Sequence, residues 1–237
     1  MARAGGPLLV VVGASFAAGV GPGGPLQAWP VELARSLGWR ALVAGVPGIG
    51  YAHVGEDHLG PLGRLTATLG LPALHPSLVV VQVGHDDWRV PPTGEARRVG
   101  AHYRGLLAAL PGARLATVTV FAARSAAPAR RARLEALDRA IIGAARSADP
   151  RMVVMDPLGA RWSFARETRG GLHPSAAGDR QIAASVLAAL TRHGAVAPPG
   201  ARRTRPPVCD LVAPGAIRRP RATRSPTLRW TPRGGLS

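Results

Sequence analysis

Five short apolar runs, at residues 8–12, 41–44, 78–83, 115–121 and 152–155, are apolar almost throughout rather than at every second position. A strand covered on both faces reads this way, whereas a strand with one wet face alternates. Between the runs lie stretches of helical periodicity at residues 26–37, 94–110, 128–148 and 175–192. Alternating strand and helix predicts a parallel sheet with right-handed crossovers and helices on both faces, an α/β sandwich. Ligands of such sheets bind beyond the carboxyl ends of the strands. Ser15, Gly48 and the segment 84–87 each follow a strand end, so they are expected to share one rim.

Composition qualifies the charge. The 237 residues carry a formal net charge of +17, every basic residue is Arg, and neither Lys nor Asn occurs. With Ala, Gly and Pro abundant, this is the signature of a high-G+C genome, and a bacterial source is expected. Nucleic-acid modules cluster their basic residues with aromatics or on a reading helix; here the Arg residues are scattered, and no nucleic-acid partner is expected. The single Cys209 excludes an intramolecular disulfide framework and a cysteine metal cluster. No apolar run reaches the roughly 20 residues of a membrane span. Residues 7–20 have the look of a signal-peptide core, but one Arg precedes them and they contain Ser15, so they read as the first strand and a cytoplasmic protein is expected.

Residues 1–196 are expected to form one domain. Residues 197–237 hold nine Arg, one Asp and many Pro, supplying +8 of the net charge; they read as a disordered tail. The alternative is a basic arm touching an anionic partner.

Two residues stand out chemically. A serine hydroxyl is a poor nucleophile until a base takes its proton, and Ser15 follows a strand at the start of a Gly-punctuated loop. His173 lies just before a helix that Pro174 and Ser175 can start, from where it can swing over the sheet edge toward Ser15. His53, Glu56, Asp57 and His58 are ordinary metal-ligand types, but Gly55 and Gly60 mark a polar surface turn, and no metal is expected. Residues 124–139 read as a solvated, Arg-rich helix face, with Leu134, Leu137 and Ile141 turned to the sheet. The glycines at 19, 21, 23 and 24 lack the Lys of a phosphate-binding loop.

Taken together, Gly13-Ala14-Ser15 with Gly19, then Gly48, then Gly84-His85-Asp86-Asp87, then His173-Pro174 with Gly178 fall in one order and spacing. That pattern resembles the SGNH, or GDSL-like, hydrolases over about 180 residues. The resemblance implies a three-layer α/β/α sandwich with a flavodoxin-like parallel sheet, and esterase chemistry without a cofactor. It implies Ser15 as nucleophile and His173 as base, with the oxyanion held by the N–H groups of Ser15 and Gly48 and by the position of Asp86. An acetyl or short acyl ester of a small molecule, glycan or lipid is the implied substrate.

Three positions depart from the family pattern: Ala14 for an Asp, Asp86 for the oxyanion Asn, and Gly170 for the triad Asp. A backbone carbonyl, Asp156 or Glu167 could orient His173 in place of the missing Asp. Asp86 could donate to an oxyanion only if protonated, since a carboxylate repels it. A catalytically silent relative, binding through the old pocket or the basic tail, is the second reading.

Overall fold

The five runs become strands β1 (Leu8–Gly13), β2 (Arg40–Gly45), β3 (Leu78–Gln82), β4 (Arg114–Val118) and β5 (Val153–Met155) of a computed structural model that describes residues 6–21, 23–122, 126–167, 171–198, 209–212 and 227–230. All five pair in parallel, in the spatial order β5-β4-β3-β1-β2. The alternation of side chains along a strand divides the core in two. Leu9 and Val11 of β1 join one buried cluster, while Leu8, Val10 and Val12 join the other. Helices α2 (Trp29–Leu37) and α7 (Ala176–Arg192) cover the first face, with Trp29, Val31, Leu33, Ile182 and Val186 inside. Helices α3 (Leu62–Thr68), α4 (Leu71–Leu74), α5 (Glu95–Ala109) and α6 (Pro128–Ala148) cover the second. The result is the α/β sandwich that the alternation predicts, in the three-layer, flavodoxin-like form that the resemblance implies.

In this strand order the chain leaves β1 for β2 on one side and reaches β3 on the other, and the crevice of such a sheet opens where the order reverses. The carboxyl ends of β1 and β3, which carry Ser15 and the 84–87 segment, flank that point.

Two features were not expected from sequence. The short helices α3 and α4 have too few turns for periodicity to reveal them. More consequentially, the segment read as a disordered tail adds two strands to the sheet. Strand β6 (Cys209–Val212) pairs in parallel with β2, and β7 (Thr227–Trp230) pairs antiparallel with β6. Cys209 is fully buried in the α2/α7 cluster. A strand of four residues embedded in Arg and Pro leaves little mark on composition, which is why that reading missed it. The remainder of 197–237 lies outside the described residues.

Helix α2 begins without a side-chain cap of its own, since Ala28 precedes it. The buried Asp179 of α7 supplies one, accepting from Trp29 N at 3.0 Å. Cavities of about 350 to 450 Å³ lie near the start of β4 and between α3 and α5, lined by residues such as Pro111, Gly112 and His102, and they bring no nucleophile and base together. Among the described residues no helix is long and apolar enough to cross a membrane.

Candidate active site

Ser15 opens the one-turn helix α1 (Ser15–Ala18) directly after β1 and is 9% exposed. The turn from strand to helix is tight because two glycines let α1 lie on the strand ends. A Cβ at Gly13 would fall 2.4 Å from Ala17 Cβ, and one at Gly45 would fall 2.4 Å from the Ala18 backbone. Ala14 N donates to Gln82 O at 2.9 Å, which fixes the turn to β3. Beneath it, Phe16 stacks on Phe121 with ring centroids 4.5 Å apart, giving the site an apolar floor.

Gly48 sits at φ +75° in the loop after β2. That loop is held by a residue whose role was not read from sequence. Asp87, 2% exposed, accepts from Tyr51 N at 2.7 Å through Oδ2 and from Ala52 N and His53 N at 2.9 Å through Oδ1. Gly50 allows the approach, because a Cβ there would lie 2.3 Å from Asp87 Oδ1. His53 adds a brace, its Nδ1 2.6 Å from Gly48 O. Among the described residues, the backbone N–H groups of Ser15 and Gly48 donate to no hydrogen-bond partner.

His173 is positioned by a short antiparallel turn. Glu167 N donates to His173 O at 3.1 Å, Ser175 N donates to Ala165 O at 2.9 Å, and Arg166 bridges to Pro174. The Arg166 guanidinium ties the turn down, donating to Leu172 O and, at 2.9 Å, to Ala122 O. Residues directly opposite across such a pair point to one face. Accordingly Glu167 Oε1 lies 3.8 Å from His173 Nδ1, within ion-pair reach though beyond a hydrogen bond. The other ring nitrogen, Nε2, is buried and has no hydrogen-bond partner among the described residues. The ring lies 5.4 Å from that of Phe16, the residue next to Ser15.

Asp86 lies on the 3₁₀ turn His85–Arg89 after β3. Three residues per turn bring positions three apart into line, so the Asp86 carboxylate accepts from Arg89 Nη1 at 2.5 Å. His85 is buried beside it, and burial, reinforced by the nearby Arg130 charge, lowers its pKa to about 4, so the imidazole is neutral near pH 7.

The remaining candidates separate. Glu167 is brought to His173, whereas Asp156 accepts from Gly159 N at 2.6 Å and lies beside Asp138 of α6. That neighbour, together with burial as the larger cause, raises the Asp138 pKa to about 6. Gly170 falls outside the described residues, as does Arg124. Among the described residues no group of three or more His, Cys, Asp or Glu side chains could hold a metal ion. The Arg-rich face of α6 is only partly solvated. Leu134, Leu137 and Ile141 are buried as expected, but Arg133 reaches inward to Glu95 at 2.9 and 3.0 Å and to Val90 O at 3.2 Å.

The sequence model of the GDSL-like lipase/acylhydrolase family matches residues 11–181. No match is found among curated proteins. Among solved structures, TesA superposes with a TM-score of 0.61 at 21% identity, over 78% of this chain and 99% of its own. LAE5, an alpha/beta hydrolase enzyme from the metagenome of Lake Arreo, gives 0.58 at 18% identity, over 81% and 97%. A carbohydrate esterase family 2 enzyme from Myceliophthora fergusii, which carries an additional carbohydrate-binding domain, gives 0.63 at 16% identity, over 81% and 68%. At these identities the likeness is one of fold.

Proposed function

Because the chain belongs to the GDSL-like lipase/acylhydrolase family, we propose that it is a serine esterase acting on a short acyl ester through an acyl-Ser15 intermediate. In this reading His173 Nε2 takes the proton of Ser15 Oγ as the oxygen attacks the ester carbonyl. The tetrahedral oxyanion is held by the N–H groups of Ser15 and Gly48. His173 then protonates the departing alcohol, removes a proton from water, and the hydroxide so formed releases the acid and regenerates Ser15.

The observation that carries this reading is the state of His173. Its Nδ1 faces the Glu167 carboxylate at 3.8 Å while its Nε2 has no hydrogen-bond partner among the described residues. An imidazole that faces a carboxylate at one nitrogen and is unengaged at the other can serve as a general base, and the carboxylate here comes from the far side of the turn rather than from position 170. Asp86, engaged by Arg89, supplies no donor in this scheme.

Hydrolysis of 4-nitrophenyl acetate and butyrate, followed across about pH 5 to 9, tests it. Ser15→Ala and His173→Ala are each expected to lower kcat by more than about 10³-fold. Asp86→Asn, which restores an amide donor, is expected to raise kcat, by up to about a hundredfold if the amide reaches the oxyanion. Equal rates for the wild type and Ser15→Ala would sink the proposal.

The Asp86–Arg89 pair also favours a second reading, a binding protein on the same fold, because a carboxylate at that position opposes an oxyanion. A fluorophosphonate probe separates the two: an activated Ser15 is labelled, and a silent one is not.

A further inference from the structure

Three guanidinium groups converge on the 3₁₀ turn beside the candidate oxyanion position, and their charges are balanced unequally. Arg133 is met by Glu95 through two contacts, and Arg89 is met by Asp86. Arg130 has neither arrangement: no ion pair among the described residues includes it. Its Cζ lies over the Trp88 ring, 4.3 Å from the ring centroid, and its Nη2 lies 3.3 Å from Nε2 of the neutral His85. Its Nε is buried and has no partner among the described residues. A guanidinium offers five N–H donors in a fixed fork, and among the described residues the hydrogen-bond contact of this fork is the one to His85.

The position is costly in a second way. Arg130 lies in the first turn of α6, a turn that carries no acidic residue. A helix N-terminus already presents partial positive charge, so a cation there is opposed rather than favoured. Arg89 approaches the same Trp88 ring at 5.2 Å, so two cations share one indole, and Asp86 pairs with Arg89. The arrangement borders the candidate site: His85, in contact with Arg130, lies 6.3 Å from the ring of Phe16, which in turn lies 5.4 Å from that of His173.

We propose that Arg130, with Arg89 across Trp88, forms a subsite for an anionic group, and that the ester hydrolysed at Ser15 carries a carboxylate or other oxyanion on its acyl or alcohol part. This substrate class rests on the acyl-enzyme reading above. The anion would complete the guanidinium fork with charge-assisted hydrogen bonds, the geometry at which Arg surpasses Lys.

The test compares charged with neutral esters. Mono-4-nitrophenyl succinate against 4-nitrophenyl butyrate places the charge on the acyl side, and 4-acetoxybenzoate against its methyl ester places it on the leaving group. The expected result is that Arg130→Gln lowers the charged-to-neutral ratio of kcat/KM about tenfold to a hundredfold for one of the two pairs, the loss of one charge-assisted hydrogen bond. Arg130→Lys is expected to restore part of it, and added salt to erode the wild-type ratio. Ratios equal in the wild type and a folded Arg130→Gln, for both pairs, overturn the subsite. Should Arg130→Gln not fold, a wild-type ratio insensitive to salt overturns it equally. A binding arm needs no turnover: the wild type is expected to prefer the charged member of one of two amide pairs, N-(4-nitrophenyl)succinamate over 4-nitrobutyranilide or 4-acetamidobenzoate over its methyl ester. If no ester is hydrolysed and this preference stands, the subsite survives and the esterase reading falls; if neither appears, both fall.

Discussion

In the proposed mechanism Glu167 is the carboxylate that orients the His173 base. Losing the orienting carboxylate costs about 10⁴ in kcat where a triad depends on it. Because the Glu167 to His173 contact is 3.8 Å and 31% of the Glu167 side chain is exposed, Glu167→Gln is expected to cost less, about 10- to 100-fold in kcat with KM little changed. Asp156→Asn is expected to have a much smaller effect, and a kcat equal for the two variants would remove Glu167 from its role. Asp87 belongs to the same scale. Asp87→Ala strands the buried amide of Tyr51 and the partly buried amides of Ala52 and His53, so urea denaturation is expected to show a loss of about 3 kcal/mol at roughly 1–3 kcal/mol per orphaned buried donor. The sequence made Ser15, Gly48 and His173 legible because each stands at a fixed offset from a strand or helix end. It left Glu167 and Asp156 equivalent, because their distance to His173 depends on a backbone turn that no spacing encodes. Asp87 was visible only as a neighbour of Asp86, its three amide partners lying some 35 residues upstream.

At the level of elements, the strands and long helices were readable because burial on both faces and 3.6-residue periodicity each leave a pattern of several turns or residues. What holds the elements to one another was not. Asp179 of α7 caps α2 across the first layer, and burial above all raises its pKa to about 7, from 3.8 in an unfolded chain. Between those values the folded state holds a proton that the unfolded state releases. Stability attributed to this group therefore falls as pH rises through that window, and the loss is complete above about 7. His85 and His102 act in the opposite sense. Burial lowers both to about 4, so the unfolded chain takes up protons first as pH falls below 6.5, and stability is lost on acidification toward 4. Urea midpoints of the wild type and Asp179→Asn at several pH values between about 4 and 8 isolate the first effect. The wild type is expected to lose stability relative to the variant as pH rises. A constant difference would mean that Asp179 does not titrate in this range.

The whole molecule is larger than its motifs. The catalytic candidates, the family match and the two core clusters lie almost entirely before residue 197, but the sheet does not end there: β6 closes the edge of β2 and β7 closes β6. Composition suggested a solvated basic tail because nine Arg dominate it, and a strand needs only four residues of backbone to pair. Truncation after Val196 is expected to bare the β2 edge, lowering the thermal midpoint and promoting association through the exposed strand. An unchanged midpoint with a monomeric product would place the segment outside the cooperative unit. Because this chain has one sulfhydryl, Cys209, buried where β6 joins the sheet, the protein carries its own clock for the opening of that edge. The rate at which a thiol reagent such as Ellman's finds its target reads how often the last strands let go, alone or together with the rest of the fold.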